Sequence, residues 1–534
     1  MNILGMNFSH DGAVAVVKNG RLTAALGTER VTREKKAFGV TNKTIEAILQ
    51  EASLKPEDIS CIALADYKAN HSNGVLALYD SDGNTVERTA YSLYNNDVRT
   101  LTGVFLGSHK IPVYVLPHHL AHASSAYYTS NFDKAICFSL DSSFGELGDN
   151  NMVFFGEGTK LQAQMCPTLI SGIGYAIFTE LLGFSPAYSK AGTTMGLSSY
   201  GKSLTGPIFD EILKKQWFSV QEHAELEYRK FWSNVWEKLI AKHPHELTHK
   251  ESSDLAATIQ ELLEKSVLET LATLHQIYPQ RQLCLSGGSM LNCILNSRIA
   301  ESKLWEGIHH FPACGDDGNA VGAALWVAHH LFDLPRQNYQ PQNLCYLGPS
   351  QNTTSIVDYT RVCELLAQGA IVAWHWGRSE YGPRALGHRS LLADAQSYHM
   401  REKINFAVKN REWFRPIAPV VLQEHAHDWF SLPIPSSPYM LYTAQVLKPQ
   451  LIPAVCHVDN SARPQTVTAE QNPQLHQLLT CYHQLTGVPV LCNTSLNGAG
   501  EPIMETPEQS LRFFETNDSV AALMLNGQLL EKSQ

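Results

Sequence analysis

The sequence predicts an α/β protein of two domains, the first of which repeats one α/β unit. Three observations carry that expectation. A single order of short elements (strand, Asp-bearing turn, strand, turn, strand) opens the chain and recurs from Lys134 onward. A Pro-, Asn- and Gln-rich stretch, Leu331–Pro349, reads as a boundary between domains. The length of 534 residues, 44% of them hydrophobic, is enough for two to four domains with ample cores at about 150 residues each. The domains are expected at 1–340 and 350–534.

The elements follow in chain order. Ile3–Asn7 and Ala13–Val17 alternate as strands around the turn Ser9–Gly12. Asn19-Gly20 is a hairpin signal leading into Arg21–Leu26, because both residues tolerate positive φ. Lys134–Leu140, the polar loop Asp141–Gly148 and Asn151–Gly156 repeat the plan, although two unrelated hairpins would give the same letters. Gln221–Leu247 is charged and helical in rhythm. Ser253–His275 carries Leu255, Ile259, Leu262, Leu263, Val267 and Leu271 on one helical face. Leu283–Leu285, Ile371–Trp374 and Gly487–Leu491 read as short buried strands.

Composition excludes several function classes. A net charge of −10 disfavours a broad nucleic-acid-binding face, while leaving room for a local basic pocket. Eleven Cys, an odd number, without any C-x-x-C pair predict a reduced, cytoplasmic protein with no zinc ribbon. The N-terminus lacks the basic leader and cleavage site of a signal peptide. No run of about 18 uninterrupted apolar residues predicts a membrane span.

Gly196–Ser203 (GLSSYGKS) spells a phosphate-binding loop, but that motif needs a buried strand before it and a helix after it. Pro186–Thr194 reads as polar and irregular, and Leu204–Pro207 as a helix breaker, so coincidence is expected. His118 and His122, four apart behind Pro117, share one helix face as a divalent metal requires. Asp316, just before a Gly-rich helix start, is the candidate oxygen ligand. Two ordinary core histidines would fit the same spacing. Ser139–Glu146 and Ser286–Asn292 follow strands and can turn backbone N–H groups toward phosphate, which makes Gly287, Gly288 and Asn292 candidates for nucleotide contact.

The densest signal is Arg378–Arg415, which holds eight Lys/Arg against four Asp/Glu inside an acidic chain. Arg384 and Arg389 are interleaved with Gly, Pro and Ser, and Lys409, Arg411 and Arg415 flank Trp413 and Phe414. A solvated charged face would alternate signs, so the pattern favours an anion pocket built from guanidinium forks. Arg463, Asn493 and Ser495 add polar groups beside expected strands.

These motifs together resemble one family. GPRALGHRS, NFAVKNREWFRPIAP, HVDNSARPQTV and VLCNTSLNGAGEPI are similar to the C-terminal signature of the O-carbamoyltransferases of nodulation-factor and antibiotic biosynthesis, of the tobramycin carbamoyltransferase type. SHDGAVAVV, HHLAHASSAYY, MGLSSYG, SGGSMLN and GDDGNAVGAA resemble its N-terminal part, and all stand in family order from His10 to Pro502. The resemblance implies an N-terminal domain of the actin-like ATPase and sugar-kinase fold, built from duplicated ribonuclease H-like units. It implies a C-terminal YrdC-like twisted-sheet domain. The activity implied is formation of carbamoyl adenylate from Mg-ATP and carbamoyl phosphate, then carbamoylation of an acceptor hydroxyl.

Residue roles follow from the matching motifs. Arg384, Lys409, Arg415, Arg463 and Ser495 would line the adenylation pocket, with Asn493 and Arg411 beside them. His118, His122 and Asp316 would hold a divalent metal, iron before zinc or manganese, and Asp141 would complete its shell. His10 and Asp11 would lie at the transfer site, His10 as base or orienting group for the acceptor. HDG in place of HDS resembles the antibiotic-tailoring members and points to a small natural-product acceptor. SLDSSFGE replaces the commoner D-G-x-G form around Asp141. A tRNA threonylcarbamoyl-type enzyme and a non-catalytic actin-like nucleotide-binding scaffold are the competing readings.

Overall fold

The computed structural model describes residues 1–66, 74–79, 85–91, 99–106, 109–141, 151–164, 172–204, 206, 224–240, 242–351 and 357–532. They form two compact units. The first holds Met1–Thr28 and Lys36–Tyr339; the second holds Gln340–Gln534 and, out of sequence, Glu29–Lys35. Nothing in the sequence pattern separates that seven-residue strap from its neighbours.

In the first unit, β1 (Asn2–Asn7), β2 (Ala13–Lys18) and β3 (Arg21–Gly27) form an antiparallel meander. Asn19 and Gly20 both take positive φ, as the tight turn needs. β4 (Cys61–Asp66) pairs in parallel with β1. β5 (Gly74–Tyr79) and β6 (Thr85–Tyr91) make a separate hairpin. β7 (Arg99–Leu106) and β8 (His109–Pro117) complete the first sheet in the order β3-β2-β1-β4-β8-β7. β9 (Lys134–Leu140), β10 (Asn151–Glu157), β11 (Lys160–Gln164), β12 (Gln282–Ser286) and β13 (Gly307–His310) form the second, in the order β11-β10-β9-β12-β13. β3-β2-β1-β4-β8 and β11-β10-β9-β12-β13 share one plan: two antiparallel pairings, then two parallel ones. This is the duplicated ribonuclease H-like unit of the actin-like fold.

Small residues set the spacing between layers. A side chain on Gly322 would place its Cβ 1.8 Å from the Ala121 carbonyl oxygen, and one on Gly5 1.9 Å from that of Ala320. The helix Gly318–Trp326 therefore lies against both β1 and the helix His118–Thr129, every residue of which is buried. That contact brings the start of one helix beside the histidines of the other. The long helix His249–Ile277 opens with a Thr248/Glu251 capping box and buries the expected apolar face, Leu255 through Leu271.

In the second unit, the strands are β14 (Val372–His375), β15 (Arg389–Asp394), β16 (Ala418–Leu422), β17 (Phe430–Ser431), β18 (Ala444–Val446), β19 (Ser461–Ala462), β20 (Gln465–Val467), β21 (Val490–Ser495), β22 (Ala522–Leu525) and β23 (Gln528–Glu531). Seven of them form one mixed sheet, β20-β16-β21-β15-β14-β22-β23. Its inner strands are buried on both faces, whereas the edge strand β23 is exposed or half-buried throughout. Ala373, Leu391, Ala393, Val421 and Cys492 pack with Phe513 and Phe514 on one side. Val372, Trp374, Leu392, Val420 and Leu491 pack with Leu475, Leu478 and Tyr482 on the other. The period of two along each strand explains why such strands read as continuous apolar runs.

Three local expectations are corrected. Pro186–Thr194 is not irregular, because Ala187–Ser198 is a helix. The strand expected over Gly487–Leu491 begins at Val490, since Gly487 caps the preceding helix in the left-handed conformation (φ 76°). The helix expected over Gln221–Leu247 is Ala224–Leu239, followed after residue 241, which is not described, by a turn at Pro244–Glu246.

Candidate functional site

In the first unit, His118 and His122 sit one turn apart on their buried helix, ring centroids 4.6 Å apart and nearly perpendicular. Their Nε2 atoms face each other at 3.1 Å. Asp141, immediately after β9, brings Oδ2 to 3.0 Å from His122 Nε2 and 3.4 Å from His118 Nε2. Asp316 brings Oδ1 to 3.3 and 3.5 Å from the same two atoms. All four residues are buried, and their ligating atoms lie within 4.8 Å of one another.

Burial opposes charge on both carboxylates, but the neighbouring histidines hold both well below the ordinary Asp value. Burial likewise opposes charge on His122, yet Asp141 and Asp316 raise it to about 9. Two imidazole nitrogens pointed at one another between two buried carboxylates could hold a shared cation. Bonds of about 2.1 Å to one divalent ion would separate adjacent ligands by roughly 3.0–3.4 Å, which is the spacing seen. The supporting contacts suit that use. The Asn319 carboxamide meets His118 Nδ1 at 3.3 Å, and the Ser9 hydroxyl donates to Asp316 Oδ2 at 2.8 Å. His119 is turned away, its Nδ1 2.8 Å from the Ser139 hydroxyl.

His10 and Asp11 lie at the edge of this cluster. His10 Nδ1 is 2.9 Å from Asp11 Oδ2, and its Nε2 is 3.5 Å from Asp316 Oδ2. Lys36, which the sequence reading missed, donates to Asp11 Oδ2 at 2.6 Å. Burial works against a charged His10, but the hydrogen bond to Asp11 and the charge of Asp316 lift it to about 9. Gly288 faces Asp141, with a would-be Cβ 3.2 Å from Oδ1. Gly287 needs its φ of 92°, and a Cβ there would lie 2.1 Å from the Leu140 carbonyl oxygen. Asn292 is turned elsewhere: it caps the helix Cys293–Glu301 through the Leu295 N–H and exchanges hydrogen bonds with Gln260. The loop at 142–150 lies outside the described residues. GLSSYGKS closes a helix instead of following a strand, so it has no phosphate-loop geometry.

In the second unit, the Lys409 ammonium donates to both oxygens of Ser495, the hydroxyl at 3.2 Å, and to the Asn497 carbonyl at 2.9 Å and Oδ1 at 2.5 Å. Burial, with Arg411 and Lys35 nearby, pushes it well below the usual lysine range. The Ser495 hydroxyl also donates to Asn497 Oδ1 at 2.6 Å. Asn405 pins the next turn: Oδ1 accepts from Arg411 Nε at 2.8 Å, and Nδ2 donates to the Arg415 carbonyl at 2.9 Å. Burial and the charges of Arg415 and Arg463 bring Arg411 down to about 9; burial and Arg463 also lower Arg415. Gathering buried cations is costly unless an anion joins them.

Arg384 rides on a loop held from within. The buried Glu380 Oε1 accepts from the N–H groups of Leu386 (2.7 Å), His388 (2.7 Å) and Arg389 (3.1 Å). Asn493 donates to the Ala385 carbonyl of this loop at 3.4 Å and to Gln465 Oε1 on β20 of the same sheet at 2.7 Å, and Gln465 Nε2 in turn donates to the Leu386 carbonyl at 2.8 Å. Arg389 is not part of an anion pocket. It is fully buried, and its guanidinium is spent on the carbonyls of Trp376, Gly377, His388 and Glu505. Asn405 and Asn497 fall within NFAVKNREWFRPIAP and VLCNTSLNGAGEPI, and Glu380 within the charged stretch, but the motifs imply no role for them, and their contacts reveal one.

The profile described as "Carbamoyltransferase N-terminus" matches residues 2–325, and that described as "Carbamoyltransferase C-terminus" matches residues 363–532. The chain belongs to the carbamoyltransferase family. This carbamoyltransferase is 31% identical to nodulation protein NolNO of Sinorhizobium fredii, over 98% of its own length and 79% of the relative's. It is 30% identical to nodulation protein U of the same species over 94% of both chains. Among solved structures it is similar to full-length HypF in the phosphate- and nucleotide-bound form, at 15% identity and a TM-score of 0.34, covering 62% of this chain and 46% of that one. The His/Asp cluster falls within the N-terminal match and the Lys409 cluster within the C-terminal one. The carbamoyltransferase is an enzyme, and no helix among its described residues is long and apolar enough to cross a membrane.

Proposed function

We propose that this carbamoyltransferase is an ATP-dependent O-carbamoyltransferase acting on a hydroxyl of a small natural-product acceptor. The observation that carries the reading is the cation cluster of the second unit: Lys409 is buried, Arg411 and Arg415 are half-buried, and burial and neighbouring positive charge depress all three. Such a cluster fits two mutually repelling anions, a triphosphate and carbamoyl phosphate. Water releases phosphate from carbamoyl phosphate, leaving carbamate. A carbamate oxygen then attacks the α-phosphorus of ATP, and pyrophosphate leaves. Lys409 and the arginines neutralise the charge that otherwise keeps the reactants apart, and Ser495 and Asn497 aim the ammonium.

The second half-reaction is assigned to the first unit. The acceptor oxygen bonds to the carbamoyl carbon, the bond from that carbon to the AMP oxygen breaks, and the hydroxyl proton passes to the departing AMP phosphate or to solvent. His118, His122, Asp141 and Asp316 would hold a divalent ion, iron in our reading and zinc or manganese by the same donor chemistry. When bound, it supplies Lewis-acid polarisation of an adenylate oxygen. His10 Nε2, half-exposed beside Asp316, would orient the acceptor hydroxyl. Gly287 and Gly288 leave the backbone beside Asp141 open to phosphate.

The test is pyrophosphate release from Mg-ATP with and without carbamoyl phosphate. Release that needs carbamoyl phosphate and vanishes in Lys409→Ala is the expected result. Release independent of carbamoyl phosphate would sink the proposal, and AMP formation dependent on tRNA would replace it with the threonylcarbamoyl reading. Tight nucleotide binding without turnover under any donor would favour a scaffold.

A further inference from the structure

The strap Glu29–Lys35 belongs to the second unit although some 300 residues of the first unit follow it in the chain. Two of its side chains reach loops that carry the candidate adenylation residues. Arg33 donates through Nη1 to the Ile503 carbonyl at 2.7 Å and through Nη2 to the Pro502 carbonyl at 2.7 Å. The same Nη2 lies 3.2 Å from Met504 Sδ. Arg30 Nη2 donates to the carbonyls of Glu380 (3.2 Å) and Gly382 (3.1 Å), while its Nη1 faces Glu505 Oε2 at 3.7 Å. Arg30 and Glu505 are both nearly inaccessible to solvent.

Each target leads directly to a site residue. Pro502 and Ile503 close the loop that begins at Asn497. That loop is tied at its neck by the Met504 N–H to the Leu496 carbonyl at 2.9 Å, and across its middle by Asn497 Nδ2 to the Glu501 carbonyl at 2.6 Å. Asn497 in turn receives both Lys409 and Ser495. Glu380 and Gly382 form the turn before Arg384, and Glu380 organises the rest of that loop with its carboxylate. Arg33 also holds a φ of 63°, a left-handed conformation disfavoured for a residue that carries a side chain.

We propose that Arg33 and Arg30 are positioning residues for carbamoyl-adenylate formation. Arg33 fixes the 497–504 loop that aims Lys409 and Ser495, and Arg30 fixes the turn that presents Arg384. The inference rests on the adenylation reading given above, and neither residue touches substrate in it.

The test uses the full chain with Arg33→Ala, Arg33→Lys and Arg30→Met. In carbamoyl-phosphate-dependent pyrophosphate release, Arg33→Ala should raise KM for carbamoyl phosphate or lower kcat by roughly 10–100-fold, the effect of misplacing a reacting group by an ångström or less. Added guanidinium ion should restore part of that loss in Arg33→Ala and none in Lys409→Ala. Arg33→Lys, which keeps the charge but cannot bond both carbonyls as a fork, should fold and still show the defect. Arg30→Met should raise KM without needing guanidinium at Arg33. Amide hydrogen exchange at 496–504 should quicken in both Arg33 variants. Wild-type kinetics in Arg33→Lys together with unchanged exchange at 496–504 would overturn the proposal. Wild-type protein that releases no pyrophosphate would sink the adenylation reading instead, and the exchange measurement would still decide whether Arg33 holds the loop.

Discussion

In the proposed function the two chemistries depend on single residues, Lys409 in one unit and His122 in the other. Replacing Lys409 by Ala leaves Ser495 and Asn497 without their common donor and the incoming anions without a buried countercharge. A loss of about 10²-fold or more in carbamoyl-phosphate-dependent pyrophosphate release is expected, with little change in melting temperature. An equal loss in Lys409→Arg would show that the compact ammonium, and not charge alone, is required. At the other site, His122→Ala should lower bound divalent metal from about one ion per chain toward none, read by elemental analysis after dialysis. Full metal content in that variant would remove His122 from the ligand set. The sequence made these residues legible because their chemistry is rare: two His at helical spacing, and lysine among arginines in an acidic chain. It hid Asn497 and Lys36, whose importance comes wholly from what lies across the fold.

The helix Gly318–Trp326 and the loop after Glu380 show the same dependence one level up. Gly322→Ala forces a Cβ into the backbone of the helix that carries His118 and His122. A destabilisation of about 1–3 kcal/mol is expected, with weaker metal retention as the helices part. Unchanged unfolding in urea and unchanged metal content would show that the helices can separate freely. Glu380 gives a pH dependence. Burial favours its neutral form, but His388, Arg389 and the backbone N–H groups hold the carboxyl below its ordinary 4.5. Its folded-state pKa lies below the unfolded one, so its charge stabilises the second unit above about pH 4.5. That stabilisation drains away as the pH falls through the folded-state value. Glu380→Gln should be less stable than wild type at pH 7 and less sensitive to acid, by thermal melts across that range. At this scale the sequence told most where one strand or helix was self-sufficient. β9 spans the expected residues because its core, Ala135–Phe138, is one apolar run. Pro186–Thr194 misled because its polar letters fold as a helix against the long one, a tertiary choice that local rhythm cannot register.

For the whole molecule, the duplicated sheet order was legible from two weak repeats, since each short strand and turn had its own local signal. The membership of the strap was not, because its partners lie hundreds of residues away. A fragment covering 340–534 should therefore be less stable than the same unit in the full chain. It lacks Arg30 and leaves buried Glu505 without its facing charge. A peptide covering 27–37 should raise its melting temperature, and no response to the peptide would show that the fragment is complete without it. The strap also imposes a schedule on synthesis. Arg33 and its acceptor at Ile503 are separated by 470 residues. At about 5–20 residues per second, a ribosome takes roughly 25–95 s to cover that distance. The second unit thus receives one of its pieces hundreds of residues before the others. During translation the second unit cannot close on its strap until the segment around Ile503 has been made.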